Sequence, residues 1–276
     1  MEPGLYIVAT PIGNLADLSQ RAIDTLRAAD IVACEDTRHS RRLLQHYDIE
    51  ATCVPYHEHS DEDVAERLLA RLDDGGNVAL VSDAGTPLIS DPGYRLVRQA
   101  QDAGHLVVPI AGPCAAIAAL SASGLATDRF RFEGFLPPKA GARRRALESL
   151  ADISMTLVFY EAPHRVAASL EEMVSVFGPD REAVLARELS KAFETISRAP
   201  LAELASWVVA DSNQQRGEIV LLVAGSDPRE QSLDPLVAGL LERLAQELPP
   251  KRAAALVADV YGLRKNALYD YLLQKR

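Results

Sequence analysis

Asn77-Val78-Ala79-Leu80-Val81 runs without a break into Ser82-Asp83-Ala84-Gly85-Thr86-Pro87-Leu88-Ile89-Ser90-Asp91-Pro92-Gly93. The first five residues lack polar/apolar alternation, which predicts a strand buried on both faces. The next twelve hold two glycines and two prolines. Gly and Pro at that density impose an unusual backbone path at the strand's end. Gly85 lets a ligand approach the main chain closely, while Asp83 and Asp91 supply acceptors. The plainer reading of Asp91 is a helix N-cap just ahead of Pro92 in the first turn.

The same grammar repeats outward from this stretch. Leu5–Thr10 is a short apolar run that stops at Pro11-Ile12-Gly13-Asn14. Ile31–Cys34 ends in Glu35-Asp36-Thr37-Arg38, and Leu106–Ile110 ends in Ala111-Gly112-Pro113-Cys114. Between these runs lie helical patterns: Ser19 to Ala29 with Ser19 as cap, His39–Tyr47, Asp61–Asp73 with Val64, Leu68, Leu69 and Leu72 on one face, and Tyr94–Ala103. Strands alternating with helices predict a mostly parallel sheet covered on both faces. In such sheets the loops at the carboxyl ends of strands form the binding crevice. From about Thr127 the pattern changes. Phe130–Phe135 alternates like a half-exposed strand, whereas Thr156–Tyr160, Ala183–Ala186 and Gly217–Val223 are buried runs in a mixed α/β lobe. From about Asp227 only helices are predicted.

Of 276 residues, 48% are hydrophobic and 25% charged, enough apolar side chain for a buried core. No apolar run has spanning length. Met1-Glu2-Pro3-Gly4 lacks the basic start of a signal peptide. Cys34, Cys53 and Cys114 form neither a CxxC pair nor a disulfide framework, which fits a reducing cytosol. No GxGxxG follows the first strand and no GxxxxGK[ST] occurs, which argues against dinucleotide binding and ATP hydrolysis. A charge of −10 opposes a chain that coats nucleic acid through bulk charge. The charge is uneven, however: from Pro249 to Arg276 six basic residues stand against two acids, a local +4.

ATPIGNL (9–15), EDTR (35–38), HEH (57–59), SDAGTPLISDPG (82–93), AGPCA (111–115), GFLP (134–137), FYEAPHR (159–165), RELSK (187–191) and RGEIVLL (216–222) occur in that order. On these stretches the chain resembles the tetrapyrrole-methylase-like class. Within it, the chain is similar to the bacterial group that methylates a cytidine ribose 2′-hydroxyl in the decoding region of small-subunit ribosomal RNA. The resemblance implies two α/β lobes, residues 1–125 and 126–226, with a cofactor cleft between them, and a helical extension, 227–276. It also implies S-adenosyl-L-methionine as cofactor, small-subunit RNA as partner and a homodimer; the cysteines place it in the cytoplasm, and with no ligand cluster in view no metal is expected. Carried over by motif, the cofactor side includes Pro11, Ile12, Asp83, Gly85, Thr86, Pro87, Cys114 and Ala115. From the second lobe it includes Tyr160, Glu161, Leu189 and Glu218. The usual motif is PGPSA, so Cys114 stands where a hydroxyl is common.

A ribose hydroxyl is a poor nucleophile and benefits from a base or strong acceptor. Glu35, His164, Glu188 and Lys191 are the candidates, and a basic lysine would need a lowered pKa. Each has a plainer reading. His164 follows Pro163 at a helix start and can cap or pack there, Glu35-Asp36 can be a solvated turn, and Arg187 with Glu188 can be a structural ion pair. His57 and His59 share a strand face without a third metal ligand in view. Arg38, Arg41, Arg42, Arg143, Arg144 and Arg145 become phosphate contacts if RNA is the substrate, as do Lys251, Arg252, Arg264 and Lys265 in the extension. There, Ala258 and Gly262 lie four apart among apolar Val257, Leu263 and Leu268, a helix-turn-helix pattern. The plainer reading is a basic amphipathic hairpin packed on the lobes. Two rival functions are a tetrapyrrole-intermediate methylase, whose substrate binding would depend less on salt, and a non-catalytic ribosome-assembly protein, which would not bind the cofactor.

Overall fold

In the chain's computed structural model the described residues are 1–57, 62–226, 235–263 and 265–274. Strand β1 (Gly4–Val8) leads to α1 (Gln20–Ala28), β2 (Ile31–Cys34), α2 (Thr37–His46), β3 (Thr52–Pro55), α3 (Glu62–Asp73), β4 (Asn77–Val81), α4 (Tyr94–Asp102), β5 (Val107–Ile110) and α5 (Ala115–Ala122). The five strands form one parallel sheet in the order β3-β2-β4-β1-β5. Alternate residues go to opposite faces. Tyr6, Val8, Val32, Cys34, Ala79 and Val81 pack with Ile23 and Leu26 of α1 and Leu43 and Leu44 of α2. Leu5, Ile31, Ala33, Val78 and Leu80 pack with Leu68 and Leu72 of α3 and Leu96 and Ala100 of α4. Both faces are therefore covered, which explains the unbroken apolar runs. Strand β3 escaped the sequence reading because Thr52–Pro55 is a short edge strand, with only Val54 fully buried.

The second lobe comprises β6 (Phe130–Phe135), α6 (Ala140–Glu148), β7 (Thr156–Glu161), α7 (Val166–Phe177), β8 (Glu182–Arg187), β9 (Thr195–Pro200), α8 (Leu201–Ala210) and β10 (Ile219–Val223). Its sheet runs β6-β7-β10-β8-β9, parallel only between β6 and β7. Helix α5 is built almost wholly of small apolar residues and lies against this second sheet: Ala116, Ala119 and Leu120 pack on Val158, Val184, Ala186, Val220 and Leu222. Ile12 and Leu189 join the same cluster, so the loop after β1 is anchored to second-lobe packing.

Both sheets belong to one compact unit, Met1–Ala151 with Met155–Ala224. Asp152–Ser154 and Gly225–Arg276 form the other. The latter contains α9 (Pro235–Glu247), α10 (Pro250–Tyr261) and α11 (Lys265–Gln274), packed through Val237, Leu241, Ala253, Ala254, Val257, Leu268 and Leu272. Gly262 ends α10 in the left-handed conformation, with φ of 65°. That cap turns the chain between the two helices, as a glycine at this position does. Among the described residues no helix is long and apolar enough to cross a membrane.

Candidate functional site

Four loops at the carboxyl ends of the first sheet are tied together. Thr10 and Gly85 exchange backbone hydrogen bonds of 2.8 and 3.1 Å. The Thr10 hydroxyl donates to the Ser82 carbonyl at 3.1 Å, and the Thr86 hydroxyl donates to the Pro113 carbonyl at 2.9 Å. Asp83 accepts from the Asp36 amide at 3.0 Å, bringing in the loop after β2. Leu88 and Ser90 hold positive φ of 73° and 67°. Such backbone is costly for non-glycine residues and persists where surrounding contacts enforce it. Leu88 is held by packing against the core of the first sheet.

These loops and the second lobe enclose a cavity of about 420 Å³, within the range of small-molecule sites. Ile12, Ile89, Ala115, Phe135, Tyr160, Leu189, Ile219 and Val220 give it apolar walls. Its charged lining is Asp83, Asp91, Glu161 and Glu218, with no cationic side chain, so the cavity suits a positively charged ligand with an apolar body. Burial, and then the charges of Glu35 and Asp83, push the Asp91 carboxyl up to about 6. Glu35 is raised by burial and by Asp83, with His57 opposing. Glu161 is committed locally: it accepts from the Ala162 amide at 2.8 Å and the Ser169 hydroxyl at 2.5 Å, and pairs with Arg165 at 3.1 Å. Tyr160 accepts from the Ala116 amide at 3.3 Å, serving the start of α5, where Cys114 makes no side-chain cap.

Across the cleft, Lys191 bonds Glu188 at 2.7 Å and Glu218 at 3.0 Å. Burial works against its charge, but the two carboxylates outweigh it and hold Lys191 above its ordinary value. Burial raises Glu188, yet Lys191, the Glu218 amide and Arg187 together bring it below the usual carboxylate range. Two glycines make room: a Cβ at Gly13 would lie 2.4 Å from Lys191 Cγ, and one at Gly217 would lie 2.2 Å from Glu188 Oε1. Ser190 adds a hydroxyl bond to Asp17 at 2.7 Å.

A second cavity of about 310 Å³ lies beside the first, lined by Pro11, Gly13, Leu15, His39, Arg42, Leu43 and Lys191. It shares Ile12, Asp83, Ala84 and Glu218 with the first.

Of the residues expected at the cofactor, Ile12, Asp83, Gly85, Thr86, Ala115, Tyr160, Glu161, Leu189 and Glu218 line the first cavity, and Pro11 lines the second. Pro87 and Cys114 line neither. Of the four acid–base candidates only Lys191 lines either of these two cavities, and it is held as a cation. Glu188 reaches the site through Lys191, while Glu35 and exposed His164 stand outside the linings. Arg143 is a correction: it is 6% exposed and doubly bonded to Glu172 at 2.7 and 3.2 Å, because its place on α6 faces α7, so it is no phosphate contact. Asp91 does not cap α4; Gly93 does. Nor do Arg187 and Glu188 form the expected pair. Arg187 bonds Gln214, Thr195 and the Phe193 carbonyl instead. Arg38, Arg41, Arg42, Arg144, Arg145, Lys251, Arg252 and Lys265 are exposed, and Arg264 and His59 lie outside the described residues. Phe135, Ile89 and Gly217 were missed as lining residues, although they fall inside the GFLP, SDAGTPLISDPG and RGEIVLL motifs.

Fold and cleft together define a methyltransferase class. Residues 4–205 match the family described as Tetrapyrrole (Corrin/Porphyrin) Methylases, and the chain belongs to it. Residues 231–276 match a second family, described as RsmI C-terminal HTH domain. The chain is 57% identical over 274 residues to a Pseudomonas aeruginosa protein named Ribosomal RNA small subunit methyltransferase I, covering 99% of this chain and 97% of that one. It is 54% identical over 272 residues to the protein of the same name from Escherichia coli O157:H7, covering 99% and 95%. Among solved structures, cobalt precorrin-4 methyltransferase shares the fold at a TM-score of 0.59 and 18% identity, over 80% of this chain and 94% of that one. Uroporphyrin-III C-methyltransferase from Thermus thermophilus, complexed with S-adenosyl homocysteine, does so at 0.56 and 21%, over 80% and 97%.

Proposed function

We propose that the chain transfers a methyl group from S-adenosylmethionine to the 2′-hydroxyl of a cytidine ribose in the decoding region of small-subunit ribosomal RNA. One observation carries this. The likeness to small-subunit ribosomal RNA methyltransferases runs through the C-terminal helical unit, whereas the tetrapyrrole enzymes match only 80% of the chain. When bound, S-adenosylmethionine supplies an electrophilic methyl on a sulfonium. The first cavity fits it: apolar walls for the adenine, carboxylates for the cationic centres, and Gly85 with φ of 85° where the main chain must come close. The residues then orient and exclude water, a contribution worth up to about 7–11 kcal/mol in favourable systems. Asp83 and Glu218 border both cavities and are the acceptors at hand for the hydroxyl proton, with Lys191 fixing Glu218. The protein acts in the cytoplasm as a homodimer.

The test is methyl transfer from labelled S-adenosylmethionine to small ribosomal subunits from cells lacking this protein, with the product mapped by mass spectrometry. A single ribose-methylated cytidine is expected. A methyl on a base, or transfer only to a tetrapyrrole, would overturn the reading.

A further inference from the structure

The two cavities differ in charge although they share a wall. The charged residues of the first are all acids, whereas the second adds His39, Arg42 and Lys191. Lys191 is already neutralised by Glu188 and Glu218. Among the described residues the His39 and Arg42 side chains have no ion-pair or hydrogen-bond partner. Both are exposed, and they stand three apart on α2, so they share a helix face. Behind them Leu15, Leu43, Pro11 and Ile12 give the cavity apolar sides. The pattern is an anion handle at a rim, an apolar slot, and a carboxylate wall common to the neighbouring cavity.

We infer that the second cavity takes a single nucleotide of the RNA, unstacked from its neighbours, with a backbone phosphate on Arg42 and His39 and the ribose at the shared wall of Asp83 and Glu218. The inference rests on the function proposed above and specifies its acceptor site. Single-stranded RNA is read by splaying bases into such slots, with arginine on the phosphate. The cavity's size, about 310 Å³, is at the small end of ligand sites, fitting one nucleotide rather than a tetrapyrrole.

The experiment compares the parent chain with Arg42→Ala, His39→Ala, Leu15→Trp and, as a charge control, Arg67→Ala on the exposed side of α3. Transfer to unmodified small subunits is followed by KM and kcat, and S-adenosylmethionine affinity by calorimetry. Arg42→Ala is expected to raise KM for the subunit about tenfold or more and to reduce the salt slope of RNA binding by about 0.7–0.9. His39→Ala should raise KM several-fold, Arg67→Ala should stay within about twofold, and Leu15→Trp, which fills the slot, should abolish transfer. All four should bind S-adenosylmethionine as the parent does. Equal effects of Arg42→Ala and Arg67→Ala, full activity in Leu15→Trp, or lost S-adenosylmethionine affinity in these variants would each overturn the inference. A parent chain that binds S-adenosylmethionine but methylates no subunit overturns the functional reading itself, and this inference with it.

Discussion

Asp91 shows how one side chain links stability to ligand charge. Burial and the neighbouring Glu35 and Asp83 raise its folded-state pKa to about 6, above the ordinary 3.8. The folded chain therefore holds that proton more tightly than the unfolded chain. Stability from this group is present below the unfolded value and is lost as pH rises through about 4 to 6. Asp91→Asn is expected to be more stable than the parent at pH 7.5, by on the order of 2 kcal/mol. The advantage should shrink as pH falls through 6 toward 4, as thermal melts across that range would show. The same carboxylate, once ionised, complements a cation in the cavity, so S-adenosylmethionine affinity should strengthen above pH 6 in the parent and not in the variant. Arg143 is the opposite kind of residue. Arg143→Ala leaves half-buried Glu172 without its partner, and denaturant unfolding should register a loss of about 1–3 kcal/mol. RNA affinity should not change, because the guanidinium is turned inward and held on Glu172.

At the level of elements, the loops after β8 and before β10 act as one piece. Glu188 and Ser190 hold positive φ of 52° and 65°, and Gly217 lies against Glu188 with φ of 77°. Gly217→Ala puts a Cβ into that carboxylate and strains the backbone, at a cost of about 1–3 kcal/mol. The expected result is a lower Tm and weaker S-adenosylmethionine binding, since Glu218 and Lys191 lose their fixed geometry; an unchanged calorimetric affinity would argue against that coupling. Most of the elements were legible beforehand. β2 and β4 lie where their unbroken apolar runs put them, and Ser19 caps α1 through its bond to the Ala22 amide at 3.1 Å. β3 and β9 were not legible, because both are edge strands: β3 is four residues with only Val54 buried, and β9 alternates between half-buried and exposed. α5 was read as a helix, but nothing in its alanines said which sheet it would cover.

On the scale of the whole molecule, the net charge of −10 hides a basic stretch, +4 from Pro249 to Arg276. Lys251 and Arg252 are exposed at the start of α10, with Lys251 also over the Tyr269 ring at 5.8 Å. Reversing both to Glu should weaken RNA binding at least about tenfold at moderate salt and flatten its salt dependence by up to about 0.9 per lost phosphate contact. S-adenosylmethionine affinity should be untouched; filter binding and calorimetry separate the two. From the sequence alone came the alternation of strands and helices, the parallel first sheet, the loops that line the first cavity, and the family through its ordered motifs. These depend on local backbone preferences and on apolar periodicity, which neighbours in the chain carry between them. Only the tertiary structure decided which acids share a cavity, that Lys191 is spent on Glu188 and Glu218, that Arg143 is buried, and that Arg42 and His39 face a second cavity next to the first. Those properties come from residues far apart in sequence meeting in space, where burial and nearby charge, not residue type, set what a side chain can do.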